Sequence, residues 1–295
     1  MRLPPVGIVL FCCCGAFSQA PSRPGPPQSV ESVPIYRVTV VGRTAKAINY
    51  RHRSGPTKLG FQGTVLLPDA RGEATVESKQ GAMLVEAKFE RLEPPTRYGR
   101  EYLTYVLWAI TPEGRAVNLG EVVAGHSNKA KLKTASELQA FGLILTAEPY
   151  FAVTQPSDVV VMENVIRPDT VGQIEEIDAK YELLRRGHYT FETASDAAMA
   201  GKKVSLDEYE ALLELYQARN AVQIAKSVGA DRYAQASYRK AEQLLQQAEA
   251  AHGRRETRKS VVMAARQAAQ TAEDARLIAL RRQEERSEAA ASLQP

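Results

Sequence analysis

Cysteine is scarce in this sequence, and its position limits the chemistry that the chain can support. The 295 residues contain three cysteines, Cys12, Cys13 and Cys14, all within the apolar run 6–17. If this run is removed, the remaining chain has no thiol nucleophile, no thiolate metal ligand and no disulfide. Acylation of one of the three cysteines is the alternative, and it would anchor the chain to a membrane as a lipoprotein.

Long hydrophobic runs are also lacking, because the apolar run 6–17 is shorter than the roughly 20 residues that span a bilayer. A basic residue precedes the run and small residues follow it, so the pattern predicts a signal peptide over residues 1–20. Cleavage before Gln19 fits the small residues best, and cleavage after Ala20 also fits. A proline-rich linker, which we expect to be disordered, follows at 21–33. The sequence therefore predicts a periplasmic or outer-membrane-associated protein.

Neither sign of charge is in large excess, because positive and negative side chains nearly cancel. The chain has 38 Lys and Arg against 34 Asp and Glu, a formal net charge of +4. The densest basic cluster contains Arg254, Arg255, Arg258 and Lys259, with Glu256 among them. This mixture is typical of a solvated helical face, and no basic stripe with interleaved aromatic residues accompanies it. The sequence therefore argues against a nucleic-acid partner.

Residue types that act in catalysis are present but do not converge. The four histidines are scattered without the spacing of a zinc site or a triad: His52, His126, His188 and His252. Glu148 is a carboxylate considered for catalysis, but Glu148-Pro149 between two strands is more typical of a turn. Trp108, the only tryptophan, lies within an apolar run and is predicted to pack in a core rather than to form a ligand platform. We predict no catalytic residue, no cofactor and no metal ligand.

Alternation of polar and apolar residues in the first half predicts a series of short strands. They are expected at 36–41, 59–67, 72–78, 83–90, 102–111, 119–123, 129–134, 141–146 and 159–162. The nearly continuous apolar run 102–111 predicts a central strand buried on both faces. Short strands at this spacing predict an antiparallel β-sandwich over residues 34–166. A connector follows at 167–204, in which residues 174–184 are interpreted as a short helix.

A set of motifs in the predicted sandwich carries a family resemblance. The motifs are Tyr105-Val106-Leu107-Trp108, Leu119-Gly120-Glu121, Thr146-Ala147-Glu148-Pro149 and Pro156-Ser157. Over roughly residues 82–165 the sequence thereby resembles the extracytoplasmic C-terminal domain of anti-sigma-K factors. The resemblance implies the β-sandwich fold. It does not imply binding of a sigma factor, because the family's cytoplasmic helices and transmembrane segment have no counterpart in this sequence.

Two aromatic residues depart from the motif of that family. Where the family has a pair of glycines after Glu-Pro, this sequence has Tyr150 and Phe151. In a loop between a strand and Pro156, they predict either an exposed contact patch or a plug over the end of the sandwich. This possible contact loop is the only candidate site that we identify.

Proline is absent between Pro168 and Pro295, and only Gly229 and Gly253 interrupt the sequence after Gly201. Proline breaks helices, so its absence predicts long ones. We expect a first helix ending near residue 227, a second over 233–252 and a third from near 257. Together they predict an antiparallel hairpin or three-helix bundle over 205–288, with a disordered tail at 289–295.

The helical region has a capping box, an apolar stripe and alanine-rich seams. Ser205 and Glu208 form the capping box. The stripe consists of Leu206, Tyr209, Leu212, Leu213 and Tyr216. The seams carry Ala218-Arg219, Gly229-Ala230, Tyr233-Ala234, Ala241, Leu244-Leu245 and Ala248. In these features the region resembles the bacterial domain of unknown function 4398, which occurs in exported envelope proteins, often ahead of an OmpA-like domain.

The sequence thus predicts an α+β chain of two segregated domains, an antiparallel β-sandwich followed by an alanine-rich antiparallel helical bundle. Three functions are compatible with it. The first, which we favour, is a non-enzymatic envelope protein that acts as an interaction or scaffold module. The others are an extracytoplasmic sensor related to anti-sigma ectodomains, and a glycan-binding or hydrolytic β-sandwich protein. The expected partners are envelope proteins or cell-wall components, with self-association through the helical region as a further possibility.

Overall fold

The computed structural model describes residues 39–42, 45–50, 55–124, 127–170, 173–177, 180–183 and 206–292. The predicted signal peptide, the proline-rich linker and the capping residue Ser205 lie outside the described residues. All described residues belong to one compact unit, Val38–Pro295.

In the described part of the chain, twelve strands precede four α-helices. The strands are β1 (Thr39–Gly42), β2 (Ala45–Asn49), β3 (Thr57–Gly63), β4 (Arg71–Lys79), β5 (Ala82–Glu90), β6 (Thr104–Ile110), β7 (Ala116–Val122), β8 (Lys129–Ser136), β9 (Ala140–Glu148), β10 (Val160–Val165), β11 (Gln173–Ile177) and β12 (Lys180–Leu183). The helices are α1 (Leu206–Ser227), α2 (Ala230–Tyr233), α3 (Gln235–Gly253) and α4 (Arg258–Ser292). A 3₁₀ helix, Pro95–Tyr98, lies between β5 and β6.

The main sheet is antiparallel and curls into a nearly closed barrel. Its strands follow the order β7-β6-β9-β10-β3-β4-β5-β8, and β2 with β11 continues from the start of β9. The end strands β7 and β8 lie side by side. A Cβ atom on Gly120 of β7 would lie 3.5 Å from a methyl group of Leu132 on β8, so side chains fill this seam. An antiparallel sheet followed by helices agrees with the predicted α+β layout, whereas the division into two sandwiched sheets stays a prediction.

The prediction of a short helix over 174–184 is wrong. Residues 173–177 form β11, which pairs with β2, and residues 180–183 form β12, which pairs with β1 in a separate two-stranded sheet. The hydrogen bonds of both strands go to partners more than a hundred residues earlier in the chain. Local propensity carries no information on such pairing, and tertiary contacts override it.

Strand β6 is buried along its whole length, as predicted from its apolar run. Because side chains alternate along a strand, its two faces meet different surroundings. Tyr105 and Leu107 belong to the core inside the barrel, whereas Val106 and Trp108 belong to a second core shared with the helices. Trp108 is fully buried, as a core residue should be. One face of β6 therefore packs in the interior of the barrel, and the helices cover its other face.

The helices pack closely because alanine dominates their buried faces. Helix α4 contacts both α1 and α3. The buried alanines include Ala218, Ala221 and Ala225 of α1, Ala241 and Ala248 of α3, and Ala265, Ala268, Ala269, Ala272, Ala275 and Ala279 of α4. Gly229, with φ of 78°, takes the left-handed conformation between α1 and α2. Helix α4 continues to Ser292, beyond residue 288 where the bundle was expected to end.

The apolar stripe predicted for α1 is not its buried face. Tyr209 is exposed and Leu213 is half-buried, and both line an apolar cleft beside Pro94 and Pro95. The buried face includes Leu215 and three polar residues instead: Glu214, Gln217 and Asn220. Helix α1 is covered on two sides, by α4 and by the barrel: Glu214 pairs with Arg266 of α4, whereas Gln217 and Asn220 bind residues on the barrel side.

Candidate functional site

The loop that joins β9 to β10 lies between the barrel and the helices, and it contains both residues of the predicted contact loop. Tyr150 is fully buried and Phe151 is 8% exposed. Both belong to the hydrophobic core that β6, β9 and the helices share. In this structure the contacts of the two aromatic residues are therefore made within the chain. We call residues 149–157 the clamp loop, because side chains from both sides bind it.

The first anchor of the clamp loop is Glu148, the last residue of β9. Its Oε1 accepts hydrogen bonds from the Thr146 hydroxyl at 2.6 Å and from the Ser157 backbone N–H at 2.7 Å. The Trp108 indole N–H donates to the Thr146 hydroxyl oxygen at 2.8 Å. The Ser157 hydroxyl donates to the Ala147 carbonyl at 2.7 Å. The motifs Thr-x-Glu-Pro and Pro-Ser thus meet and hold the two ends of the loop together.

Asn118 of β7 is the second anchor. Its Nδ2 donates to the carbonyl oxygens of Phe151 at 2.9 Å and Val153 at 2.8 Å. Its Oδ1 accepts from the backbone N–H of Gly120 at 2.9 Å. Asn118 pairs with Trp108 and Gly120 with Leu107, so Leu119 is the extra residue of a β-bulge. Gly120 has φ of 134°, a conformation that glycine adopts readily. The Leu-Gly motif therefore forms the bulge that aims Asn118 at the loop.

Helix α1 binds the clamp loop from the other side. Gln217 Oε1 accepts from the backbone N–H of Phe151 at 2.7 Å, and its Nε2 donates to Glu121 Oε1 at 2.7 Å. Asn220 Nδ2 donates to the carbonyl oxygens of Pro149 at 3.3 Å and Glu101 at 3.1 Å. Buried amide side chains thus satisfy backbone groups that the loop would otherwise leave without partners.

Helix α4 contributes a buried ion pair to the same loop. Glu273 Oε2 accepts from the Tyr150 hydroxyl at 2.6 Å and from Arg276 Nε at 2.7 Å. Glu273 Oε1 accepts from Arg276 Nη2 at 2.8 Å and from the Thr154 backbone N–H at 3.0 Å and hydroxyl at 2.5 Å. Burial opposes the charge of Glu273, but the hydrogen bonds and the positive charge of Arg276 outweigh it and lower the pKa of the carboxyl to about 2. Glu273 is therefore ionised and fully bonded.

A second charged group lies where α1, α4 and β7 meet. The Arg266 guanidinium lies over the ring of Phe151, with Cζ 3.6 Å from the ring centroid, a cation–π contact. Arg266 Nη1 also contacts Glu121 Oε2 at 2.8 Å and donates to Glu214 Oε1. Burial and the nearby charge of Glu121 raise the pKa of Glu214 to about 7, against the effect of Arg266.

The polar groups of the site hold the clamp loop in place. In the part of the chain that the structure describes, no group of three or more His, Cys, Asp or Glu is placed to hold a metal ion. None of the described helices combines the length and the apolar character needed to cross a bilayer. The acids and bases described above pair with one another or bind the backbone of the loop.

Sequence reasoning missed the residues that hold the clamp loop. They are Asn118, Gln217, Asn220, Arg266, Glu273 and Arg276. A signal was present, because Glu214, Gln217 and Asn220 recur at intervals of three among the alanines of α1. Polar residues at helical spacing inside an alanine seam indicate a buried polar contact, but they do not indicate the partner.

No family model matches this sequence, and no characterised protein was found as a relative.

Proposed function

We propose that this chain is a non-enzymatic, exported protein of the cell envelope that acts as an interaction or scaffold module. The observation that carries the proposal is that the buried carboxylates hold parts of the fold together. Glu273 holds Arg276 and the clamp loop, Glu148 holds the two ends of that loop, and Glu121 holds Gln217 and Arg266. A catalytic acid or base must be within reach of a substrate proton, and these carboxylates are bound inside the fold instead.

A scaffold needs surfaces held in a constant relative geometry, and the clamp supplies that. Hydrogen bonds from β7, α1 and α4 converge on one loop, and the same loop lies in the hydrophobic core that the sheet shares with the helices. The outer face of α3 is polar and exposed, with Arg239, Lys240 and Gln243 among its residues. We propose that faces of this kind, presented by a rigid body, make the contacts to other envelope components.

The proposed location rests on the sequence. The apolar run at the start resembles a signal peptide, and the chain that follows it contains no cysteine. The resemblances to an extracytoplasmic β-sandwich and to an alanine-rich envelope domain agree with export. We also propose that the curled sheet is a β-sandwich of the kind found in that extracytoplasmic domain.

Cross-linking in the envelope fraction, followed by pull-down and mass spectrometry, tests the function. The bait is the tagged full chain, and the matched control carries Arg239→Ala, Lys240→Ala and Gln243→Ala on the exposed face of α3, which alters the proposed contact surface and leaves the clamp intact. The proposal expects envelope proteins or cell-wall fragments that are recovered with the wild type and reduced with the control. A glycan hydrolase activity that a folded Glu148→Gln variant loses would contradict it.

N-terminal sequencing of the native protein tests the location separately. Cleavage near Ser18 is expected. An intact Met1 in protein from the cytosol would refute export. An acylated Cys12, Cys13 or Cys14 would show that the exported protein is a lipoprotein.

A further inference from the structure

The charged group between α1, α4 and β7 contains more acid than base. Glu214 comes from α1, Glu121 from β7 and Arg266 from α4, and one guanidinium nitrogen, Arg266 Nη1, contacts both carboxylates. The side chains of Glu121 and Glu214 are only 8% and 11% exposed. With both acids ionised, the group has one negative charge in excess, and it falls on two carboxylates that are largely shielded from water, whereas the Arg266 side chain is 36% exposed. Burying such a charge is costly, so the group favours uptake of a proton.

The two carboxylates are not equally stabilised as anions. Glu121 Oε1 accepts hydrogen bonds from the Thr104 hydroxyl at 2.8 Å and from Gln217 at 2.7 Å, and its Oε2 binds Arg266. Glu214 Oε1 binds Arg266, but its buried Oε2 has no hydrogen-bond partner in the described part of the chain. The proton should therefore go to Glu214, on the oxygen that no donor reaches.

We propose that Glu214 is a protonation switch that sets how firmly α1 and α4 dock on the barrel. With Glu214 protonated, the group is electrically neutral, and the helices hold the clamp loop firmly. With Glu214 ionised, Glu121 and Glu214 repel each other across one shared guanidinium, and the docking weakens. The switch adjoins the clamp, because Arg266 contacts the ring of Phe151 and Gln217 links Glu121 to the Phe151 backbone.

The remaining charged groups nearby have other partners. On α1 itself, Glu210 pairs with Arg258 at the start of α4, and Arg219 pairs with Glu249 of α3 at 2.8 Å. Strand β6 contributes the neutral Thr104 hydroxyl. Glu121 and Arg266 are therefore the charges that govern Glu214, in agreement with its raised pKa of about 7.

The direction of the effect follows from linkage. The folded chain holds the Glu214 proton up to about pH 7, whereas a glutamate carboxyl in the unfolded chain releases its proton near pH 4.5. Between these values the folded state binds more protons than the unfolded state, so stability falls as the pH rises through this window and stays lower above it. The full shift corresponds to a decrease of about 300-fold in the folding equilibrium constant, which is the upper bound of the expected effect.

Urea unfolding of the full chain at several values from about pH 5 to about pH 8 tests the switch. The signal is the fluorescence of Trp108, the only tryptophan, which lies in the core shared by sheet and helices. For the wild type, the folding constant is expected to fall by between about 10-fold and about 70-fold from pH 5 to pH 8, because the unfolded carboxyl is already largely ionised at pH 5. The Glu214→Gln variant should lose this dependence and be more stable than the wild type near pH 8.

The matched control is Glu210→Gln, which removes one negative charge from the same helix at its exposed pair with Arg258. It should keep the wild-type pH dependence. Histidines ordinarily titrate in the same window, but they are the same in all variants, so the difference between variants isolates Glu214. A second variant, Glu121→Gln, removes the negative charge that repels ionised Glu214. The fall in stability should therefore occur at a lower pH than in the wild type. If Glu214→Gln keeps the full pH dependence of the wild type, the proposal is wrong.

Discussion

Replacement of Glu273 by alanine should strongly destabilise the folded chain, because Glu273 joins α4 to the clamp loop. The carboxylate accepts five hydrogen bonds, two from Arg276, two from Thr154 and one from Tyr150. Its removal leaves the Arg276 guanidinium, with a side chain 8% exposed, without a counter-charge. Breaking a buried ion pair from one side costs about 3–5 kcal/mol, so we expect a loss of that size in the free energy of unfolding.

Equilibrium unfolding in urea, followed by Trp108 fluorescence, measures this loss. Asp274→Ala is the matched control, because Asp274 is the next residue on the same helix and is exposed; its effect should stay within about 0.5 kcal/mol. The double variant Glu273→Leu, Arg276→Met removes both charges and should recover much of the stability. A Glu273→Ala protein that loses less than about 1 kcal/mol would refute the reasoning, because the clamp would then contribute little.

Three further predictions concern the core, the acid range and the isolated helices. Trp108→Ala should cost about 3–5 kcal/mol in the free energy of unfolding, measured by thermal denaturation, and an unchanged transition would show that Trp108 is not a core residue. Because the folded pKa of Glu273 lies near 2 and the unfolded value near 4.5, stability should fall as the pH is lowered through this range, by up to about 3 kcal/mol, and less so in Glu273→Gln. A fragment that begins at Lys203 should be only marginally stable or should self-associate, as measured by circular dichroism and sedimentation, because the face of α1 that holds Leu215 and Ile224 loses its cover on the barrel; a stable, fully helical monomer would contradict this.

The sequence predicted elements whose signal is local. Strand β6 was identified from its apolar run, and the helices α1 and α3 were identified from the absence of proline and from the glycines at their C-terminal ends. Periodicity and helix breakers act within a few residues, so one sequence is enough to find them. The same reasoning failed for β11 and β12, because pairing with distant strands decides their structure.

The clamp could not be predicted, because its members meet only in the folded chain. Arg266 is 145 residues from Glu121 and 52 residues from Glu214. Glu273 is 123 residues from Tyr150. The apolar stripe of α1 was misassigned for a related reason. Helix α1 is covered by α4 on one side and by the barrel on the other, and on the barrel side it buries polar residues that form hydrogen bonds there. Hydrophobic periodicity detects apolar faces only, so it missed this polar face.

The central claim is that the barrel and the helices form one cooperative body, joined through the clamp loop. The most direct test is a single urea titration of the full chain with two signals recorded together. The far-ultraviolet circular dichroism reports mainly the helices, and the fluorescence of Trp108 reports the core between helices and sheet. We expect both signals to change in one coincident transition, as in a two-state unit. Loss of the helical signal at a clearly lower urea concentration than the tryptophan signal would contradict the account.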